Sequence, residues 1–160
     1  SVSGTIAYVE QEPYIFCGTV QENITFGKPY DEGLYNQVVK VCCLENDFKL
    51  FPTGDRTEIG ERGITVSGGQ KARLSLARAV YSKADIYLFD DPISAVDAKV
   101  ARRIYDDVIR GILRGKTVLL VTHQVHYLTE CDHLILMKDG AIEYQGTPQQ
   151  LSEPLSKLMI

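Results

Sequence analysis

Apolar and polar positions change their spacing several times along this chain, and each change predicts an element. Thr5-Ile6-Ala7-Tyr8-Val9 runs into Gln11, Glu12 and the turn former Pro13, which predicts a short strand over Gly4 to Val9. From about Thr19 to Phe48 two helical patterns follow, the second carrying Leu34, Val38, Val41 and Cys42 from an acidic first turn at Asp31-Glu32. Pro52 to Gly63 mixes proline, glycines and charges and reads as a loop, and a helix is expected to begin at Ser67.

Beyond that helix, strand and helix patterns alternate: Ile86 to Phe89, Asp97 to Leu113, Val118 to Val121, and Gln124 to Glu130. Such alternation predicts a parallel sheet with crossover helices. Val100, Ile104, Val108 and Ile112 recur every four residues, one apolar stripe to lay on that sheet. Leu134 to Met137 and Ala141 to Tyr144 flank Asp139-Gly140, a pair suited to a two-residue hairpin turn.

Composition narrows the function classes. A chain of 160 residues fits one domain, and 44% hydrophobic with 24% charged residues is ordinary globular usage. With 17 basic against 21 acidic side chains there is no basic surplus for nucleic acid phosphates, so no nucleic acid partner is expected. Cys17, Cys42, Cys43 and Cys131 lack paired zinc-ligand spacing and read as free thiols. No apolar run approaches the roughly 18 residues of a membrane span, so any membrane connection is expected through another domain.

Three groups of residues carry chemistry. Val66-Ser67-Gly68-Gly69-Gln70 opens a helix with two glycines, which exposes backbone N–H groups beside a serine hydroxyl and forms a phosphate seat. The same Ser67-x-x-Gln70 spacing also suits a plain capping box. Ile86 to Asp91 is an apolar strand ending in two carboxylates, the pattern that sets one acid near a magnesium ion and the next near an attacking water. Adjacent acids at a strand end also serve to cap a following helix. His123 ends the next strand, at the edge where parallel sheets bind ligands, although a lone histidine there is commonly structural.

Together these residues resemble the ATP-binding-cassette family. Val66 to Gln70 is similar to its signature motif, Ile86 to Asp91 to its Walker B strand, Ser94 to Asp97 to its D-loop, and His123 to its switch histidine. Gln11 resembles the Q-loop glutamine, and Thr57 to Gly63 the loop through which exporters touch their membrane domains. Gln21 to Lys28 and Phe89 to Asp97 further resemble the first cassette of C-subfamily, multidrug-resistance-protein-type exporters.

The resemblance implies an α/β, P-loop NTPase-like parallel sheet core with an inserted helical subdomain. Residues of about 11–75 would form the helical part, and 1–10 with 76–160 the core. It implies ATP and Mg2+, a second cassette and transmembrane domains as partners, and a place at the cytoplasmic face of a membrane. Asp90 and Gln11 would hold the metal, Asp91 and His123 would act on the attacking water, and Ser67, Gly68, Gly69, Gln70, Asp97 and Gln11 would contact nucleotide.

This sequence departs from the family pattern in three ways. No G-x-x-x-x-G-K-[ST] loop precedes Gln11, so the expectation is an N-terminally shortened cassette that is inactive alone. Gly115-Lys116-Thr117 resembles the end of such a loop, but Arg110 stands where glycine is needed. Asp91 replaces the glutamate of most active members, and Val66 replaces leucine. Two other functions fit the motifs: a soluble ATPase of the same family in DNA repair or translation, and a regulatory cassette that does not hydrolyse.

Overall fold

The expected parallel sheet forms around the acidic strand. The computed structural model describes residues 3–60 and 63–150. Strand β1 (Ile6–Val9), β4 (Ile86–Asp90) and β5 (Thr117–Val121) make one sheet in the order β1-β4-β5, all parallel. Val9 lies opposite Phe89, and Asp90 opposite Val121. Because side chains alternate across a strand, Ala7, Val9, Tyr87 and Phe89 share one buried face. Ile6, Tyr8, Leu119 and Val121 lie on the other, each half or more exposed.

Between β1 and β4 the chain inserts helices α1 (Val20–Thr25), α2 (Glu32–Val41), α3 (Glu45–Leu50) and α4 (Gly68–Tyr81). Their starts follow from side chains that accept the orphan N–H groups of a first turn. Thr19 and Glu22 form a capping box at α1, Asp31 caps α2, and Ser67 with Gln70 forms a second capping box at α4. Helix α4 packs against α1, α2 and β1. Leu74, Leu76 and Ala77 on α4 are buried, as are Val20 and Ile24 on α1 and Val38 on α2. Full burial of a Leu- or Ile-sized side chain stabilises by roughly 1.5–3 kcal/mol.

A polar knot also fastens α4 to the segment after β1. Arg78 donates to the Tyr14 and Asn23 carbonyls at 2.9 and 2.8 Å and to Asn23 Oδ1 at 3.0 Å. Asn23, fully buried, returns its amide to the Phe16 and Thr19 carbonyls at 3.0 Å each. The rings of Tyr14, Phe16 and Phe26 surround the guanidinium at 4.9–5.9 Å.

Four elements differ from the sequence expectation, the first being α3, a third helix where two helical patterns are expected between Thr19 and Phe48. The Pro52–Gly63 loop contains a 3-10 turn (Gly54–Arg56) and β3 (Glu58–Ile59), which pairs antiparallel with β2 (Gly18–Thr19). Glu61 and Arg62 of that loop lie outside the described residues. The helix after Asp97 is α-helical as α5 (Ala98–Ile104) and then widens into a π-helix over Tyr105–Ile112, as the Leu113 N–H bond to the Val108 carbonyl at 3.0 Å marks. A four-residue repeat falls between the 3.6 residues of an α-turn and the wider π-turn, so the stripe is compatible with either winding. The segment after Gln124 is a 3-10 turn (Val125–Glu130) rather than an α-helix.

The chain forms two compact units, Ser1–Val121 and Thr122–Ile160. In the second, β6 (Leu134–Lys138) and β7 (Ala141–Gly146) form the expected hairpin. Asp139 and Gly140 both have positive φ, 50° and 78°, which suits a primed turn. Leu134 packs with Leu128 and Cys131 in a small core of its own.

Candidate functional site

The acidic strand ends in an unusual way. Asp90, half-buried, is the last residue of β4, and Asp91 continues the ladder by donating its N–H to the Val121 carbonyl at 2.9 Å. Asp91 then takes φ of 47°, a left-handed conformation that aspartate and asparagine adopt more readily than other residues with side chains. Its residue is 5% exposed, and Oδ1 has no hydrogen-bond partner. A buried carboxylate oxygen without a donor is expensive, so this position is one where the fold retains an open acceptor. Since β1 and β4 are parallel with Val9 opposite Phe89, exposed Gln11 and Asp91 both lie two residues past that pair, at one sheet edge. Asp90 also lines a hollow of about 200 Å³ with Tyr8, Leu88 and Leu119.

From Asp91 the chain turns directly toward the start of α4. The Asp91 carbonyl accepts from Ser94 N–H at 3.3 Å and Ser94 hydroxyl at 3.0 Å. Ala95 follows, and a Cβ placed on Gly69 would lie 3.0 Å from the Ala95 carbonyl oxygen. Gly69 therefore serves a close approach as well as an exposed backbone. Asp97 caps α5, accepting from Val100 N–H at 3.1 Å.

At α4 the capping box and the phosphate seat prove compatible. Ser67 Oγ accepts from Gln70 N–H at 3.2 Å, which leaves its own hydroxyl hydrogen available to donate. Helix geometry gives the first N–H groups, those of Gly68 and Gly69, no intrahelical acceptor. Ser67 and Gly68 are exposed. Gln70 faces inward instead. Its Oε1 accepts from Ser67 N–H at 2.8 Å and its Nε2 donates to Asp47 Oδ1 at 2.9 Å. Arg73 completes the cluster by pairing with Asp47 and donating to the Cys43 carbonyl.

His123 belongs to the second unit, two residues past Val121, and is exposed. Gln11, Asp90 and Asp91 thus follow at the same end of the β1–β4 pair, and Gly68 and Gly69 approach Ala95 in the turn that leaves it. Asp47, Arg73, Arg78 and Asn23 support these residues but carry no sequence signal. Asp47 meets Gln70 across 23 positions, and Arg78 meets Tyr14 across 64.

The residues present fit a magnesium-bound phosphate. Magnesium takes one or two carboxylates and fills its octahedron with phosphate and water oxygens, and Asp90 offers one such carboxylate. Among the described residues no cluster of three His, Cys, Asp or Glu side chains exists for an all-protein cation cage. The hollow beside Asp90 is below the roughly 300 Å³ of typical ligand pockets. The four thiols are free, and burial pushes the Cys42 and Cys43 thiols up from their ordinary value, which keeps them unreactive. Among the described residues no helix is long and apolar enough to cross a membrane.

Comparisons with known proteins show the family. The family described as ABC transporter matches residues 1–94. The chain is 54% identical over 150 residues to a probable multidrug resistance-associated protein of Drosophila melanogaster, covering 94% of this chain and 11% of that protein. It is 53% identical over 150 residues to ABC transporter C family member 9 of Arabidopsis thaliana, covering 94% and 10%. With ATP-binding cassette sub-family C member 4 of Homo sapiens it shares 52% over 147 residues, covering 92% and 11%. The chain spans about a tenth of the length of these curated relatives. Strands β1 and β4, the capped glycine pair at α4 and the acidic end of β4 lie within the residues 1–94 that this family matches, and the chain belongs to the ABC transporter family.

Proposed function

We propose that this chain belongs to an ATP-hydrolysing cassette that powers export in a C-family transporter, at the cytoplasmic face of a membrane. It acts as half of a two-cassette sandwich coupled to transmembrane domains, with residues of about 11–75 as the helical subdomain. The observation that carries this reading is Asp91, a buried carboxylate with one oxygen unpartnered, held in left-handed backbone at the end of a parallel strand. A fold that keeps such a group has a use for the open acceptor.

In this reading Ser67, Gly68 and Gly69 seat the terminal phosphate of an ATP gripped by the partner cassette, with N–H groups and a hydroxyl facing the anion. Asp97 stands at the same sandwich face. Asp90 holds magnesium through water, and Gln11 adds a ligand and links metal occupancy to the membrane domains. Magnesium, when bound, neutralises charge on the phosphate oxygens. At the other ATP of the sandwich, the one held by this chain's own cassette together with that magnesium, Asp91 orients the attacking water and accepts its proton, and His123 contacts the terminal phosphate.

Asp91 also favours a second reading, a cassette whose own site is slow or regulatory. Aspartate is one methylene shorter than glutamate, and a base must come within about 3 Å of the proton that it takes, or act through one water. Both readings are tested by phosphate release from purified full-length protein. The parent is compared with Ser67→Arg, which fills the seat, and with Asp91→Glu, which lengthens the base. Loss of turnover in Ser67→Arg supports the hydrolytic sandwich, and a gain in Asp91→Glu identifies the slow site. Unchanged turnover in Ser67→Arg would remove the seat from the mechanism.

A further inference from the structure

We propose that Asp47 is a positioning residue for the Ser67 seat, acting through Gln70. The inference rests on the reading of Ser67 as a phosphate seat. A capping box is complete with two residues, as α1 demonstrates: the Glu22 carboxylate accepts from Thr19 N–H at 2.7 Å and Thr19 hydroxyl at 2.9 Å, exposed and without a third partner among the described residues. The box at α4 has an additional member. Gln70 uses its amide oxygen for Ser67 N–H and its amide nitrogen for Asp47, so the amide has one orientation that satisfies both contacts.

Asp47 lies on a different helix, α3, and is buried. Its carboxylate is held by both terminal nitrogens of Arg73. A forked arginine contact fixes direction as well as charge. Arg73 Nε in turn donates to the Gly69 carbonyl at 3.2 Å, within the seat itself. The Ser67 backbone, whose hydroxyl and neighbouring N–H groups are available to donate, is therefore oriented from beneath by a chain of fixed contacts that begins on α3. Small misplacements of a group that meets a reacting phosphate are costly in rate.

The test is a swap in the full-length transporter. Gln70→Glu sets two carboxylates against each other, and Asp47→Asn leaves Arg73 uncompensated. Combined, they restore both contacts with the donor reversed: the Asn amide donates to the Glu carboxylate, which still accepts from Ser67 N–H, and net charge is conserved. Steady-state hydrolysis is read as kcat and KM for ATP, with melting temperature followed in parallel. Each single substitution should lower kcat about tenfold with KM within about twofold of parent, and the double should return kcat to within about threefold.

Gln70→Ala, which spares the ion pair, should show the same loss of kcat, and it carries the test if either charged single variant fails to fold. Parental kcat in Gln70→Ala, or a folded double variant no faster than the slower single, overturns the proposal. A fall in melting temperature with kcat unchanged also overturns it, since that marks a purely structural brace. Full turnover in Ser67→Arg would instead overturn the underlying reading of the seat.

Discussion

Strand β4 has an aspartate just outside its first residue and another just past its last. Asp85 is exposed and fully engaged: its Oδ2 accepts from Thr5 N–H at 2.8 Å and Thr5 hydroxyl at 2.9 Å, and Lys116 Nζ lies 3.8 Å from Oδ1. These contacts, the Thr5 backbone bond foremost, hold its carboxyl below its ordinary value of 3.8. Asp91 is buried, left-handed and has an oxygen with no donor. One carboxylate stitches the start of β1 to that of β4, and the other leaves a buried oxygen without a donor. In the proposed reading the Asp91 end of the sheet is the working one, since groups left unsatisfied by the fold cluster at functional sites.

The largest effect that sharpens this comparison lies at the working edge. Ser67→Arg should reduce steady-state ATP turnover of the full-length protein by about 10²-fold, the loss typical when a positioned donor to a reacting oxyanion is removed. Turnover near the parental rate would mean that this edge is not the working one.

Next in size is Gly69→Val. A Cβ at this position sits 3.0 Å from the Ala95 carbonyl oxygen, so the turn leaving β4 must move. Overpacking of this kind costs about 1–3 kcal/mol, read as a lower melting temperature together with lost turnover. An unchanged melting temperature would show that the turn yields freely.

Asp91→Asn should act in the opposite direction. Asparagine tolerates left-handed backbone and carries no charge to bury, so the substitution should stabilise by about 1 kcal/mol, while turnover changes less than about twofold because the slow site is the one affected. A melting temperature below parental would show that the Asp91 charge is compensated in the intact protein.

The smallest effect belongs to Asp85. Because its folded value is depressed, its contribution to stability is complete above 3.8 and is lost as pH falls through the lower folded value. Acid unfolding should therefore be steeper below about pH 4 in the parent than in Asp85→Asn, which lacks this titration. Identical acid limbs for the two proteins would place the Thr5 contact outside the stability balance.

The elements legible in the sequence were those whose signal is local. Ser67 and Gln70, three residues apart, gave the start of α4, and Asp139-Gly140 gave the β6–β7 turn, because capping and primed turns are decided by neighbouring residues. The β2–β3 pairing was hidden, since Gly18 and Thr19 meet Ile59 and Glu58 through two-residue strands too short to alternate. The π-helix was hidden for a related reason: a four-residue stripe fits both windings, and packing chose the wider one.

By itself, then, the sequence determined the alternation that makes a parallel sheet, the capped glycine pair, the paired acids and Gln11 at a strand end, because each depends on residues near one another in the chain. Only the tertiary structure decided that Gln70 turns inward to Asp47, that Arg78 fastens the Gln11-bearing segment to α4, and that Asp91 keeps an unpartnered oxygen. These depend on which side chains meet across tens of residues, and on which buried groups are left without a partner once every other donor is engaged.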